Sequence, residues 1–572
     1  MTSTYALLHQ RLAEAFDSLS PGADPVLRAS ERSDYQANGV MALAKTLGRA
    51  PRDVADEIVR HLDLSGVASV EVAGPGFLNL TILRELFATQ LRSLLDDQRL
   101  GLDETASART VVIDYSAPNV AKEMHVGHLR STVIGDALAR MYRFAGHHVV
   151  ARNHVGDWGT PFGMLIEHLV DLGEDEALAS LSIGDLDGFY RSARAKFDTD
   201  DAFKERSRAR VVALQAGDAE TNRLWRILVD QSVAYFDEVY AKLDITLTPG
   251  DVVGESYYND MLDDVVRDLD AAGLLVDSGG ARCVFPPGFT NREGEPLPLI
   301  VQKGDEGYGY AATDLAAVRD RVNNLDADEI LYFVGVPQTQ HLEMVFAVAR
   351  LAGWLPASVR CEHVGFGNVL GPDRKMFKTR SGETVKLVTL LDEATERADR
   401  ILDVRSRDLD PATRMHLPVQ IARAAVKYAD LSTDRERDYV FDLDRMIAFE
   451  GDTGPYLQYA HARLRSIFRR LGTPWTPSTI TFALDSDAER HLALGLLAFP
   501  EAFEAAFRTL QPHRLCGYLF DLAQRFTSFY EACPVLTSTG ALRDERLALC
   551  QLTARTLALG LSLLGIEAPE QM

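Results

Sequence analysis

The chain has 572 residues, and its 60 Lys and Arg against 83 Asp and Glu give a net charge of −23. That length predicts two to four domains, and 46% hydrophobic with 25% charged residues is typical of a globular protein and not of a disordered one. The acidic balance argues against a nonspecific nucleic-acid binder, although a local basic patch at 461–470 leaves a specific RNA partner open.

Targeting and redox signals point to one compartment. No apolar run reaches the roughly 18 residues that span a bilayer, and the charged residues within 1–19 predict an amphipathic helix and not a secretory signal. The five cysteines are widely spaced without a CxxC pair, which argues against a structural zinc site and against a disulfide framework. We therefore expect a cytoplasmic protein with no membrane partner.

Residues 1–108 predict a small α+β domain. Helical patterns cover about 3–19 and 36–47, and another begins after Pro51. Alternating residues at 70–73 and 77–80 surround Gly74-Pro75-Gly76, which predicts a hairpin or tight turn.

Residues 109–385 alternate between short apolar strands and helices. The predicted strands are 110–114, 147–156, 297–303, 329–336 and 359–366, and the predicted helices are 127–145, 312–323 and 340–352. This alternation predicts a parallel, doubly wound sheet. Charged helices and short strands interrupt it, so we interpret about 170–296 as an insertion. Ligands of such sheets bind beyond the carboxyl ends of the strands, where Asp114, Asn153 and residues 336–340 are expected.

Residues 386–572 have almost purely helical periodicity, which predicts an α-helical bundle. The expected helices are 386–400, 411–430, 454–471, 487–498, 512–530 and 541–564.

The segment 114–130, DYSAPNVAKEMHVGHLR, is the strongest candidate for chemistry. It leads from a strand through a polar loop into a helix, so His125 and His128 share the first helical turn. Free N–H groups and the helix dipole favour a phosphate there. Gly127 permits close approach, and Lys122 adds charge. The pattern HVGH also occurs by chance, and a metal site is a further alternative, although no third ligand is evident.

A second phosphate candidate is residues 375–386, KMFKTRSGETVK. It holds Lys375, Lys378, Arg380 and Lys386 around Gly382. Such a loop can close over a triphosphate and neutralise developing charge. A solvated basic surface loop is the alternative.

Together these segments resemble the arginyl-tRNA synthetases, a family of class I aminoacyl-tRNA synthetases. HVGH is similar to the HIGH signature, and residues 375–381, KMFKTRS, occupy the place of the KMSKS loop in a degenerate order. The similarity extends over nearly the whole chain. It includes NHVGDWGTPFGM, YAATD (310–314), HVGFGNVLGPDRKMFKTRSGETVKL, FEGDTGPYLQYAHARLRSI and LGIEAPEQM.

The resemblance implies a site for arginine. It assigns Asp114 and Asp314 as carboxylates for the guanidinium, Tyr310 and Gln338 as further side chains, and Asn119 as the partner of the amino or carboxylate end. A planar guanidinium with five donors suits paired carboxylates and fixed acceptors, whereas the lysine ammonium cannot satisfy both.

The resemblance also implies a Rossmann-type catalytic domain and a two-step reaction. Arginine attacks the α-phosphorus of ATP, and tRNA(Arg) then takes the arginyl group, with tRNA needed even for the first step. It assigns the phosphates of ATP, with Mg²⁺, to the residues His125, Gly127, His128, Lys122, Lys375, Lys378 and Arg380, with Lys122 compensating for the degenerate loop.

Partners follow from the same resemblance. It implies a monomer that binds tRNA, arginine and ATP but not DNA. The N-terminal domain would contact tRNA, and the C-terminal domain would bind the anticodon through the candidates Tyr456, Tyr459, Arg463 and Tyr530. Two alternatives stay open: a noncatalytic tRNA-binding paralogue, and a class I synthetase for another amino acid.

Overall fold

The two ends of the chain fold together, and the residues between them form a second unit. The structure, a computed structural model, describes residues 3–30, 32–182, 185–304, 307–375, 377, 385–405, 409–472, 474–476 and 480–572. We call residues 1–104, 456–562 and 567–572 the terminal unit, and residues 105–455 and 563–566 the central unit.

The N-terminal part of the terminal unit is a four-stranded antiparallel sheet with helices. Its elements are α1 (Thr4–Asp17), β1 (Leu27–Ala29), β2 (Tyr35–Ala37), α2 (Val40–Leu47), α3 (Pro51–His61), β3 (Ala68–Ala73), β4 (Phe77–Ile82) and α4 (Arg84–Asp96). The strand order is β1-β2-β4-β3, and the β3–β4 pairing confirms the predicted hairpin. The helix predicted from residue 36 begins later, because Tyr35–Ala37 pair with β4 as a strand.

The central unit contains the remaining strands and most of the remaining helices. Its strands are β5 (Thr110–Asp114), β6 (His148–Val155), β7 (Val252–Gly254), β8 (Val276–Ser278), β9 (Ala281–Val284), β10 (Leu299–Gln302), β11 (Glu329–Tyr332), β12 (Arg360–His363), β13 (Val369–Leu370) and β14 (Tyr439–Val440). Its helices are α5 (Val126–Phe144), α6 (Thr160–Leu172), α7 (Glu174–Ser182), α8 (Leu186–Thr199), α9 (Asp201–Gln215), α10 (Ala219–Leu243), α11 (Asn259–Ala271), α12 (Tyr310–Asn323), α13 (Thr339–Leu351), α14 (Leu387–Arg405), α15 (Pro411–Leu431) and α16 (Leu443–Met446).

Five of these strands form the predicted parallel sheet, in the order β12-β11-β5-β6-β7. Residues 111–113 of β5 are fully buried, as expected for a strand covered on both faces. The strand order reverses direction between β5 and β11, so these two strands flank the switch point where ligands of doubly wound sheets bind. Asp114 and Tyr332 are paired neighbours at that point.

Two strands differ from the sequence prediction. Residues 297–303 were expected in the parallel sheet, but β10 pairs antiparallel with β9 in a separate three-stranded sheet. Conversely, β7 lies within the predicted insertion 170–296 and is an edge strand of the parallel sheet. β10 follows a local turn at 290–296 that returns the chain beside β9. β7 has only three residues, which are too few to produce a periodic signal.

Helices dominate the rest of the chain, as predicted. They are α17 (Gly454–Arg470), α18 (Asp487–Leu497), α19 (Phe499–Thr509), α20 (His513–Ala532) and α21 (Gly540–Leu563). The sequence analysis did not identify α19. No helix among the described residues is long and apolar enough to cross a membrane.

Candidate active site

The loop between β5 and α5 has an unusual backbone. Ser116, Ala117 and Ala121 have φ values of 75°, 47° and 59°, in the left-handed region that residues with a Cβ rarely adopt. Non-glycine residues persist there only when their surroundings hold them, and such strain is concentrated at functional sites. The backbone thus marks this loop independently of any motif.

Side chains from other elements hold this strained loop. The backbone N–H of Ser116 donates to the Ser131 hydroxyl at 2.9 Å. The N–H of Ala117 donates to Oδ1 of Asn153 at 3.0 Å, and that of Ala121 to the Ser232 hydroxyl at 2.9 Å. Three different elements therefore fix the path of the loop before any ligand arrives.

Asn119 lies exposed on this loop, next to β6. Val120 N–H donates to the carbonyl of Gly156 at 3.0 Å, and Gly156 N–H to that of Pro118 at 3.2 Å. A Cβ at position 156 would stand 2.4 Å from Oδ1 of Asn119. Glycine at 156 is therefore a condition for the placement of the Asn119 side chain.

The two histidines of HVGH cap the start of α5. His125 is the N-cap residue, and its Nδ1 accepts the N–H of Gly127 at 3.0 Å. Nδ1 of His128 accepts the N–H of His125 at 3.1 Å, and the two ring centroids are 4.0 Å apart. Because Nδ1 is the acceptor in both neutral rings, Nε2 carries the proton. Each imidazole thus offers one N–H donor.

Both rings are neutral near pH 7. Burial and the adjacent His125 lower the pKa of His128 to about 3, and burial also lowers the pKa of His125. A phosphate at this helix terminus would therefore meet two neutral N–H donors, the backbone N–H groups of the first turn and the positive end of the dipole.

The two predicted lysines that the structure describes are both exposed. Lys122 is exposed, and its Nζ lies 4.8 Å from the ring centroid of Tyr190 on α8. Lys375 is also exposed. Lys378 and Arg380 lie outside the described residues.

Asp114, the first predicted carboxylate, is buried and paired within the protein. Its carboxylate is 3% exposed, and Oδ2 accepts a hydrogen bond from the fully buried guanidinium of Arg321 at 2.5 Å. The ring of His154 lies 3.9 Å from the same oxygen. The carboxylate that was expected to bind the substrate guanidinium is thus paired with a guanidinium of the chain, and its contact with the substrate stays a prediction.

Asp314 has a more open environment. It lies four residues after Tyr310 on α12, so both side chains lie on one face of the helix, and Tyr310 is 76% exposed. Nε2 of His341 lies 2.6 Å from Oδ2 of Asp314, and this hydrogen bond raises the pKa of His341. Gln338, exposed at the end of a short 3₁₀ turn, immediately precedes the helix that carries His341. Gln338 and His341 thus follow the switch-point strand β11 in the chain.

Glu255 is a site residue that the sequence analysis missed. It directly follows β7, at the carboxyl end of the parallel sheet. Burial and the negative charges of Asp157 and Asp314 raise its pKa to about 7. A carboxyl group with such a pKa in a cluster of acids is typical of a site for a cation. The sequence feature that positions Glu255 is the preceding strand β7. This strand has three residues inside the predicted insertion and is too short to be detected by periodicity.

The described residues contain no cluster of three or more His, Cys, Asp or Glu side chains that could hold a metal ion.

The four predicted tRNA contacts occupy the terminal unit. Tyr456, Tyr459 and Arg463 follow a helical spacing on α17, and Tyr459 is 45% exposed. The Arg463 guanidinium lies 4.3 Å from the ring centroid of Tyr530 on α20, while Tyr456 packs edge-to-face on Phe520. Three of the four thus contact other side chains, and Tyr459 presents the most open aromatic surface of the set.

Three family profiles cover most of the chain. Residues 6–82 match the arginyl tRNA synthetase N terminal domain, residues 90–443 match the catalytic domain of class I tRNA synthetases (R), and residues 457–572 match the DALR anticodon binding domain.

Whole-chain comparisons agree with these profiles. An arginine–tRNA ligase of Thermobifida fusca is 56% identical over 98% of this chain and 97% of its own. One from Cronobacter sakazakii is 47% identical over 99% of both. Among solved structures, arginyl-tRNA synthetase from Plasmodium falciparum matches with a TM-score of 0.85 at 29% identity over 100% of both chains. The Thermus thermophilus arginyl-tRNA synthetase matches with a TM-score of 0.81 at 27% identity over 99% of both.

Proposed function

The chain belongs to the arginyl-tRNA synthetase family and attaches arginine to tRNA with ATP, and we propose that the switch-point site described above carries both steps. The observation that carries this proposal is the pairing of two kinds of group at one edge of the sheet. Neutral histidine N–H donors begin α5, and an acidic cluster follows β7 and lies on α12.

The arginine pocket is formed by Asp314 and Glu255, with Tyr310 and Gln338 beside them. Burial, together with the negative charges of Asp157 and Asp314, raises the pKa of Glu255, and a guanidinium that enters between Glu255 and Asp314 compensates these effects. Such a pocket rejects lysine and neutral analogues because each leaves a partly buried carboxylate without its charged partner, which supports discrimination by roughly 10⁴-fold. Asp114 supports the pocket through Arg321, and Asn119 holds the α-amino or carboxylate end of the substrate.

Adenylation requires positioning and charge stabilisation. The arginine carboxylate, already ionised, attacks the α-phosphorus of ATP, and pyrophosphate leaves, so no general base is needed. His125 and His128 donate their Nε2 hydrogens to the phosphate oxygens on which charge increases. Lys122, Lys375, Lys378 and Arg380 neutralise the β- and γ-phosphates. Mg²⁺, when bound with ATP, would supply further positive charge beside the phosphates that these residues hold.

Transfer to tRNA follows at the same site. The terminal adenosine of tRNA(Arg) attacks the mixed anhydride, and AMP leaves. In the terminal unit, Tyr459 stacks on a splayed base, with the Arg463–Tyr530 pair and Tyr456 beside it. We assign the contacts with tRNA to residues 1–108 and 386–572 and catalysis to residues 109–385, which are the domains that the sequence predicts. All five cysteines are free thiols, which supports a reducing cytoplasm, and we assign the working form as a monomer.

ATP–pyrophosphate exchange tests this proposal directly. Exchange is measured with each of the twenty amino acids, with and without tRNA(Arg). We expect exchange with arginine alone, and only in the presence of tRNA. Maximal exchange with lysine or glutamate would overturn the assignment of the pocket, and absence of exchange with every amino acid would overturn catalysis at this site.

A further inference from the structure

One buried acid beside the histidines has no part in the proposed mechanism. Glu123 lies two residues before His125, and its side chain is 4% exposed. Burial raises the pKa of its carboxyl group. A carboxylate buried this close to an ATP phosphate site repels the substrate unless a cation neutralises it. Its burial also costs free energy when no cation is beside it.

Lys386 supplies that cation. Its Nζ lies 2.9 Å from Oε1 of Glu123 and 3.9 Å from Oδ1 of Asp185. A further acid, Asp187, accepts the backbone N–H of Glu123 at 3.0 Å. The ammonium group of Lys386 therefore lies beside carboxylates of this chain, those of Glu123 and Asp185, and these already balance its positive charge.

The backbone places this lysine opposite His125. The N–H of Val126 donates to the carbonyl of Val385 at 3.0 Å, and the N–H of Leu387 to that of Met124 at 2.9 Å. His125 and Lys386 are thus direct partners in a short antiparallel pairing. The segment 385–387 therefore fastens the end of the basic 375–386 sequence to the start of HVGH.

From this geometry we propose that Lys386 is a positioning residue for adenylation. It neutralises Glu123 and thereby keeps residues 124–126, with the His125 donor, in place, and it does not bind pyrophosphate. The inference rests on the proposed function of His125, and it separates Lys386 from the other basic residues of its segment.

Charge removal on both sides of the pair tests this inference. Lys386→Met leaves Glu123 buried without a counter-charge, and we expect kcat for arginine-dependent exchange to fall about 100-fold, as for a misplaced catalytic group, while KM for ATP changes less than about threefold. The double variant, Lys386→Met with Glu123→Gln, also removes the buried negative charge that Lys386 neutralises. We expect it to recover kcat to within about tenfold of the wild type, because coupled partners are not additive.

Controls make the outcomes distinct. Lys242→Met removes a half-buried lysine outside the site that pairs with Asp392 at 2.6 Å, and we expect wild-type kinetics. Lys386→Arg keeps the charge and should retain most activity. A double variant as inactive as Lys386→Met, with KM for ATP raised tenfold or more, would overturn the inference and make Lys386 a phosphate ligand.

Folding and function are checked separately. Thermal unfolding of each variant shows whether Lys386→Met is folded, and the double variant supplies the test if it is not. Wild-type protein without arginine-dependent exchange would contradict the proposed function, whereas active wild type with no rescue contradicts only the role of Lys386.

Discussion

At the scale of single residues, the site depends on side chains whose protonation is set by their surroundings. The histidines of HVGH are kept neutral by burial, so they serve as hydrogen-bond donors and not as cations. Glu255 has the opposite perturbation, since burial and two acids raise its pKa to about 7. The chemistry of recognition should therefore depend on pH through Glu255 and not through the histidines.

Arginine binding should weaken as the pH falls through 7. Glu255 is charged above its pKa of about 7 and attracts the guanidinium, and it becomes neutral below that value. Titration calorimetry at pH 6, 7 and 8, in the presence of tRNA, should show weaker binding at pH 6 and proton release near pH 7.

A matched pair of variants isolates this effect. Glu255→Gln should reduce both the pH dependence and the proton release, and the remainder belongs to His341, whose pKa is raised by its hydrogen bond with Asp314. Asp260→Asn, at an exposed position on α11, should leave both unchanged. Persistence of the full pH dependence in Glu255→Gln would assign it to another group.

The sequence predicted part of this site, and the reason lies in which residues carry local patterns. HVGH was identified because two histidines on one helical turn are a local signal, whereas Tyr310 and Asp314 were assigned only through the resemblance of YAATD to the family. Asp114 was assigned to the substrate because nothing in the sequence places Arg321, more than 200 residues away, against its carboxylate. Such long-range neutralisation is a product of the fold and has no local signature.

At the scale of secondary-structure elements, two buried ion pairs join α5 to α15. Arg130 of α5 lies 3.4 Å from Asp430, and Asp136 lies 3.8 Å from Lys427, with all four side chains nearly or fully buried. Lys427 also donates to the carbonyl of Leu243 at the end of α10. These two buried ion pairs thus fix the alignment of α5, the helix that begins with HVGH, against α15.

Removing one member of a buried ion pair should lower the free energy of unfolding more than removing both members of that pair. We expect Arg130→Met to lower the free energy of unfolding by about 3–5 kcal/mol, because it leaves the buried carboxylate of Asp430 without the guanidinium that lies 3.4 Å from it. Arg130→Met with Asp430→Leu should recover most of this loss. Urea unfolding of the single and double variants measures the coupling, and simple additivity would contradict a register role.

Strand prediction succeeded or failed at this scale for identifiable reasons. β5 was predicted because its apolar residues are covered on both faces, and the pattern is continuous. β7 has three residues and no periodicity, and β10 has the composition of a parallel strand but pairs with its neighbour across a local turn. The left-handed residues 116, 117 and 121 have no sequence signature either, since serine and alanine do not predict positive φ.

At the scale of the whole molecule, distant parts of the chain build one unit. In the terminal unit, Arg490 of α18 binds Asp34 and donates to the carbonyl of Ile82 at 2.8 Å. Arg555 of α21 donates to the carbonyl of Leu95 at 2.8 Å and so caps the end of α4. Residues 1–104 and most of residues 456–572 are therefore one folded unit, although they lie at opposite ends of the sequence.

Within this unit, a buried ion pair should contribute far more stability than an exposed one. Arg490→Met leaves Asp34, 7% exposed, without its partner, and should destabilise the unit by about 3–5 kcal/mol. Arg84→Met removes an exposed pair with Asp485 and should cost about 0–1 kcal/mol. Hydrogen exchange in β4 and α18 of the full chain measures both, and equal protection in the two variants would contradict this account.

The comparison of arginine with citrulline tests the central claim most directly, because citrulline has the same shape without the charge. For the wild type with tRNA, we predict that kcat/KM in pyrophosphate exchange favours arginine by roughly 10⁴-fold. In Asp314→Asn with Glu255→Gln, this preference should fall to about tenfold or less while exchange with citrulline persists. An unchanged preference in that variant would show that other groups bind the guanidinium.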